Sequence, residues 1–268
     1  TIVGRENRSG VFPVLIDPFC RPVYSLRMTK NSFIGKSAWI TGASSGLGRA
    51  LALELGALGA KLILSGRDEV ALAHVAQSAG TDARVLAFDL EDDAACGEAA
   101  NQALAVFGRL DFVVLNARIR QRSLFVNTSK TAFSKIMRTN FISSVEITRA
   151  VLPSMLRQRG GSILCVSSLA GLMGAPLRSA YSASKHALAG FFSSVRTEIE
   201  GSGVTIHIAY PGFVKTMISH NALKGDGSRH GVLDPLQRNG LDPTAAARKI
   251  VKDLARGKLD IRDRQSVV

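Results

Sequence analysis

Tyr181 and Lys185 stand four apart in Ser-Ala-Tyr-Ser-Ala-Ser-Lys (residues 179–185), and Ser168 lies thirteen residues before the tyrosine. On a helix, positions i and i+4 share a face, so this spacing lets a phenol and an ammonium converge on one point. A free tyrosine titrates near about 10 and is a poor base at neutral pH. Bringing it to about 7 requires about 4 kcal/mol of preference for the phenolate. One cation about 4 Å away, at an effective dielectric of about 20, is worth that order of energy. The trio is therefore suited to moving a proton to and from a carbonyl oxygen, the chemistry of carbonyl–alcohol redox.

A second constellation lies near the start. Thr41-Gly42-Ala43-Ser44-Ser45-Gly46-Leu47-Gly48 follows an apolar run and opens an amphipathic one. Glycines let backbone approach a pyrophosphate, and a helix N-terminus adds N–H donors and partial positive charge. The spacing is Gly-x-x-x-Gly-x-Gly rather than the commoner Gly-x-Gly-x-x-Gly, and taken alone a purely structural turn would also explain it.

Elements must hold these groups together. From Lys36 onward, short apolar runs alternate with longer amphipathic ones, the pattern of βαβ units. Strands are expected at 37–41, 61–65, 84–88, 112–116, 162–167 and 205–210. Helices are expected near 46–58, 69–79, 92–107, 131–158, 179–201 and 243–256. The fold class is α/β: a single-domain, Rossmann-like, doubly wound parallel sheet with helices on both faces, whose ligands lie beyond the carboxyl ends of the strands. The expected organisation is an N-terminal extension at 1–35, a catalytic domain at 36–258 and a tail at 259–268. Residues 213–241 lack a sustained period and read as a lid. The tail is short and charged, which argues against a final strand.

The totals narrow the class. In 268 residues, 46% hydrophobic content fills a sizeable core. The formal charge of +13 invites a nucleic-acid reading, but the basic residues are scattered and aromatics are only 6%. An acidic cofactor, an acidic carrier protein or an anionic membrane surface suits the charge better. Cys20, Cys96 and Cys165 are too dispersed for a disulfide framework, and Cys165 reads as a small core residue. The five histidines show no ligand spacing, so no metal is expected. No uncharged apolar run approaches the ~18 residues that span a bilayer. The Val11–Ile16 patch, broken by Pro13, makes a poor signal peptide, and Met28 is a candidate start. Expected localisation is cytoplasmic, with membrane-surface association as the alternative.

Taken with Asn116-Ala117, Asn140 and Pro211-Gly212 in chain order, these motifs resemble the short-chain dehydrogenase/reductase family over residues 36–256. The stretch from Lys215 to Gly227 is similar to the animal-type subgroup of hydroxysteroid, retinoid and carbonyl reductases. The resemblance implies nicotinamide-dependent oxidoreduction with Asn140, Ser168, Tyr181 and Lys185 as the catalytic tetrad. The tyrosine protonates the developing alkoxide and Ser168 donates a hydrogen bond to the same oxygen. Lys185 holds the cofactor ribose and, helped by a positive nicotinamide ring, lowers the tyrosine pKa, while Asn140 supports a water chain. Cofactor contacts are implied at Gly42, Ser44, Ser45, Gly46, Leu47 and Gly48, at Asp89 and Leu90, at Asn116 and Ala117, and at Pro211, Gly212, Val214 and Thr216. Each residue alone has an ordinary structural explanation; their joint occurrence in this order does not.

Cofactor choice is read at the end of the second strand, Leu64-Ser65-Gly66-Arg67. An acid there would bind the ribose 2′-OH, whereas an arginine favours the 2′-phosphate. Arg67, with Arg49 as a second contact, therefore favours NADP(H), with NAD(H) as the alternative. One departure stands out: where the family reads Asn-Asn-Ala-Gly, this chain reads Leu115-Asn116-Ala117-Arg118. Arg118 either turns outward, leaving function intact, or intrudes on the nicotinamide side and weakens cofactor binding. Leu169, Leu172, Met173, Pro176, Leu177, Phe213, Val214, Met217 and Ile218 suggest an apolar pocket for a lipophilic ketone or aldehyde. The alternatives are a 3-oxoacyl-carrier-protein reductase and, from another class, a non-catalytic nucleotide-binding or scaffold protein. The resemblance further implies a homodimer or homotetramer built on the helices near 131–158 and 179–201.

Overall fold

The computed structural model describes residues 30–262, so Cys20 and most of the expected N-terminal extension and tail lie outside the described residues. Seven parallel strands form one sheet in the order β3-β2-β1-β4-β5-β6-β7. They are β1 (Ser37–Thr41), β2 (Lys61–Gly66), β3 (Ala83–Ala87), β4 (Phe112–Leu115), β5 (Gly161–Val166), β6 (Val204–Tyr210) and β7 (Asp260–Arg262). The order runs one way from β1 to β3 and the other way from β4 to β7, so the topology reverses between β1 and β4. A doubly wound sheet opens a crevice at such a reversal, beyond the carboxyl ends of its strands.

The central strands are continuous apolar runs because both faces are covered. Every residue of β1 and β4 is buried. Trp39 of β1 is fully buried, and its indole N–H donates to Ser65 Oγ on β2 at 2.9 Å, which removes the cost of burying that donor. On one face pack α1 (Gly46–Ala57), α2 (Glu69–Ser78) and α8 (Pro243–Ala255); on the other pack α3 (Asp93–Val106), α5 (Ser143–Gln158) and α6 (Ser179–Glu198). Each fully buried Leu or Ile in these layers contributes about 1.5–3 kcal/mol. The core also includes Phe33, ahead of the expected domain start at 36; its ring lies 5.1 Å from that of Phe112.

The expected helix at 131–158 is three segments: α4 (Lys130–Met137), a π turn at Arg138–Ile142, and α5. The tail expectation is corrected, because β7 pairs in parallel with β6 through Ile208↔Asp260, Ala209↔Ile261 and Tyr210↔Arg262. One buried apolar residue, Ile261, is enough there because charge anchors both sides. Arg196 binds Asp260 at 3.0 Å, and Lys249 Nζ donates to the Arg262 carbonyl at 2.9 Å. The expected lid at 213–241 contains the short α7 (Pro235–Arg238) and is tied back by a bridge between Val214 and Leu241. Among the described residues, no helix is long and apolar enough to cross a membrane.

Candidate active site

The glycine turn leaves β1 and enters α1. Gly42 (φ +65°) and Gly46 (φ +55°) adopt the left-handed conformation that L side chains rarely take. A Cβ on Gly42 would meet Ala117 Cα at 2.7 Å, and one on Gly48 would overlap the Gly42 carbonyl oxygen and the Asn116 amide. The turn is therefore closed against β4 with no room for a methyl group. Gly48→Ala is expected to cost about 1–3 kcal/mol through overpacking, or to open the turn; a thermal melt with nucleotide titration reads both effects. Asn116, just after β4, holds the turn, donating through Nδ2 to the Thr41 and Gly42 carbonyls at 3.1 Å each. Thr41 Oγ1 accepts from the Asn116 and Ala117 N–H groups at 3.1 and 3.3 Å.

Helix capping separates α1 from its neighbours. Asp68, Asp92, Ser129 and Asp242 cap α2, α3, α4 and α8 with side-chain oxygens, whereas Ser45 makes no such bond to α1. The first-turn N–H groups of α1 therefore have no side-chain acceptor from the capping position, the arrangement that binds anions. Around it, Arg67 is exposed at the end of β2, 3.7 Å from Glu91. Asp89 is exposed and Leu90 is buried.

Tyr181 sits in the first turn of α6, buried to 3% exposure, and Lys185 follows one turn later with no exposure. The Lys185 Nζ is 5.9 Å from the Tyr181 ring centroid and donates to the Val166 carbonyl of β5 at 2.9 Å. Burial would raise the phenol pKa, but Lys185, Arg120, Arg118 and a hydrogen bond with Ser168 outweigh it and bring Tyr181 below the usual 10. Burial lowers the Lys185 pKa, with Tyr181 opposing. Ser168 follows β5; its Oγ accepts from the Ala170 N–H at 3.2 Å, so it caps a 3-10 turn and also reaches the phenol. The structure thus brings Ser168, Tyr181 and Lys185 together.

Asn140 occupies the π turn, fully buried. Its Oδ1 accepts from the Ile119 N–H at 2.8 Å, and its Nδ2 donates to the Ile119 carbonyl at 2.9 Å and to Ser184 Oγ at 3.0 Å. Both amide protons are in use, so the side chain itself clamps the strand-end loop to α6. Pro211, Gly212 and Val214 line one cleft with Ser168 and Tyr181, and Thr216 lies beside Gly46.

Arg118 turns inward. Its Nη1 donates to Asn116 Oδ1 at 2.8 Å and to the Asn116 carbonyl at 3.3 Å, and the residue lines the cleft of Tyr181. Arg120 lines it too, with its guanidinium carbon 5.6 Å from the Tyr181 ring centroid and Nη1 on Gln237 Oε1 at 2.6 Å. The expected apolar pocket is only partly formed: Val214 and Ile218 reach the cleft, whereas Leu172, Met173 and Met217 are exposed at 43%, 62% and 53%.

Several positioning residues escape sequence reasoning. Gln121, buried, accepts the Ala180 N–H at 2.7 Å through Oε1 and so caps the helix that carries Tyr181, which has no side-chain cap of its own. Ser167 Oγ donates to the Lys185 carbonyl at 2.9 Å across Gly171, where a Cβ would meet that oxygen at 2.7 Å. Asp234 binds Arg122 at 2.7 Å and Arg178 at 3.1 Å, and Gln237 Nε2 donates to the Val214 carbonyl. Cys165 is a buried core residue, its thiol pushed up by burial to about 12.

This geometry has close relatives. A family model described as short chain dehydrogenase matches residues 36–227. The chain is 38% identical over 231 residues to the dehydrogenase/reductase SDR family member 7B of Bos taurus, covering 83% of this chain and 71% of that protein. A short chain dehydrogenase/reductase from Burkholderia phymatum, solved in complex with NAD, superposes with a TM-score of 0.78 at 27% identity, over 86% of this chain and 89% of its own. A metagenomic short-chain oxidoreductase solved in complex with NADP gives a TM-score of 0.71 at 28% identity, over 86% of this chain and 99% of its own. With its parallel sheet, its closed glycine turn and its Ser168–Tyr181–Lys185 cluster, the chain belongs to the short-chain dehydrogenase/reductase family of oxidoreductases, alongside animal members.

Proposed function

We propose that the protein is an NADPH-preferring carbonyl reductase, reversible as an alcohol dehydrogenase, acting on a lipophilic ketone or aldehyde. The observation that carries this reading is a buried phenol whose pKa is lowered by Lys185 and two arginines at the crevice end of the sheet. The glycine cradle, in which a Cβ would strike backbone, and the first turn of α1 fit a dinucleotide pyrophosphate.

When bound, the dihydronicotinamide supplies a hydride to the carbonyl carbon. Tyr181 gives its proton to the carbonyl oxygen, so carbonyl, hydride and proton make an alcohol. Ser168 donates a second hydrogen bond to that oxygen. Lys185 uses one of its three N–H donors on Val166, which leaves two for a ribose, and its charge stabilises the phenolate left behind. Asn140 positions the loop and α6 rather than touching the reacting atoms.

NADPH oxidation followed at 340 nm against a ketone and aldehyde panel, with NADH alongside, tests the reading; turnover with NADPH supports it, and none with either nucleotide overturns it. Arg67, exposed at the end of β2, is the residue proposed to select the 2′-phosphate. Arg67→Ser is expected to weaken NADPH binding on the order of tenfold with little change for NADH, measured by nucleotide fluorescence. The proposal includes a homodimer or homotetramer through the α4–α5 and α6 faces, where partly buried Phe141 and Phe191 stack edge to face at 6.0 Å.

A further inference from the structure

The cleft beside Tyr181 carries more positive charge than hydride transfer needs. Arg118 and Arg120 line it, Arg178 and Arg122 stand behind, and Asp234 is the carboxylate that faces them. Asp234 is already shared between Arg122 and Arg178, at 2.7 and 3.1 Å. It leaves Arg118 and Arg120 with neutral partners: Asn116 for the first and Gln237 for the second. Arg120 is 8% exposed, and its Nε is buried with no hydrogen-bond partner among the described residues, although the residue lines the cleft. A buried guanidinium normally has its donors satisfied, and one paired only with a carboxamide is short of charge compensation. Burial accordingly pulls the pKa of both Arg118 and Arg120 down.

We infer that Arg120, with Arg118 beside it, binds a carboxylate carried by the carbonyl substrate, so that the natural substrate is an oxo acid with an apolar body. The inference rests on the proposed hydride-transfer reading and names the substrate class of that same site. A planar guanidinium and a carboxylate match in shape and charge, and a buried pair of this kind discriminates strongly because the unmatched ligand leaves the cation uncompensated. The Phe213 ring centroid lies 5.8 and 5.6 Å from the Arg120 and Arg178 guanidinium carbons, and Val214 and Ile218 supply the apolar contact in the cleft. The depth of Arg120 and Arg178 favours a small carboxylate over the acidic face of a carrier protein. In the reaction the keto carbon gains hydride from NADPH, its oxygen gains the Tyr181 proton, and the carboxylate leaves unchanged on the hydroxy acid.

The test compares benzoylformate with its methyl ester, two ketones that differ in the charge, using NADPH and the full chain. Wild type is expected to prefer the acid on the order of tenfold or more in kcat/KM. Arg120→Met should bring the acid-to-ester ratio near one, with the loss in KM for the acid; the ratio cancels any effect of Arg120 on Tyr181, which both ketones share. Arg118→Gln should lower the ratio in the same direction, and it decides the matter if Arg120→Met does not fold. An ester reduced as well as the acid, or a ratio that survives both substitutions, overturns the inference and leaves the carbonyl-reductase reading standing. If neither ketone is reduced, that reading fails instead, and calorimetric titration with benzoate decides this one: binding that both substitutions weaken supports the carboxylate site, and its absence overturns it.

Discussion

Tyr181→Phe is expected to lower kcat for ketone reduction by on the order of 10²–10⁴-fold, the range associated with removing a positioned general acid, while nucleotide affinity changes little. The substitution deletes one hydroxyl from a side chain whose ring is already buried, so the ring's packing and its contact with the Arg120 guanidinium persist. What disappears is the proton donor, together with its hydrogen bond to Ser168. Stopped-flow mixing of the variant with NADPH and ketone, next to a nucleotide binding curve, separates lost chemistry from lost binding. Retention of most of the turnover would mean that another group protonates the oxygen.

Lys185→Met is expected to act on pH dependence as much as on rate. The lysine is the first of the cations that oppose burial at the phenol, so its removal lets the Tyr181 pKa climb. Alcohol oxidation requires the phenolate, so its rate rises with pH through the Tyr181 pKa, and in the variant that rise moves to higher pH. Ketone reduction requires the phenol, so its rate falls above the same pKa, and that fall also moves upward. Oxidation at neutral pH is therefore slower in the variant, and the deficit shrinks as the pH rises. Methionine keeps the apolar stem but leaves the buried Val166 carbonyl without its Lys185 donor, which costs about 1–3 kcal/mol. A thermal melt of the variant separates loss of activity from unfolding, and pH profiles in both directions check the shift.

The sheet was legible wherever burial on both faces makes a strand a continuous apolar run. Ser37–Thr41 matches its expected bounds, and the other five expected strands fall within a residue or two of the observed ones. β7 was not legible because Ile261 is its one buried residue and the rest of its anchoring comes from Arg196 and Lys249, distant in sequence. The π turn at Arg138–Ile142 leaves the apolar periodicity of the surrounding helix intact, so one long helix was the natural reading.

In the site, Ser168, Tyr181 and Lys185 were legible because a helical turn and a strand end fix their relation, and the structure does bring them together. Gln121, Asp234 and Gln237 were not: Gln121 meets Ala180 across 59 residues, and Gln237 meets Arg120 across 117. One signal was present. Arg118, Arg120 and Arg122 alternate along an irregular stretch after a strand, and such spacing sends side chains to a common side in extended chain. The inward turn of Arg118 depends on the Asn116 acceptors, which only the folded loop presents.

The central claim is an acidic phenol in a buried, cation-lined cleft, and its most direct measurement is the ionisation of Tyr181 itself. With ¹³C at Cζ of tyrosine, the Tyr181 resonance is assigned by its loss in Tyr181→Phe and followed against pH by NMR. A midpoint clearly below about 10, moving upward in Lys185→Met, is the predicted result. A midpoint at or above about 10, unmoved by the lysine substitution, would contradict it.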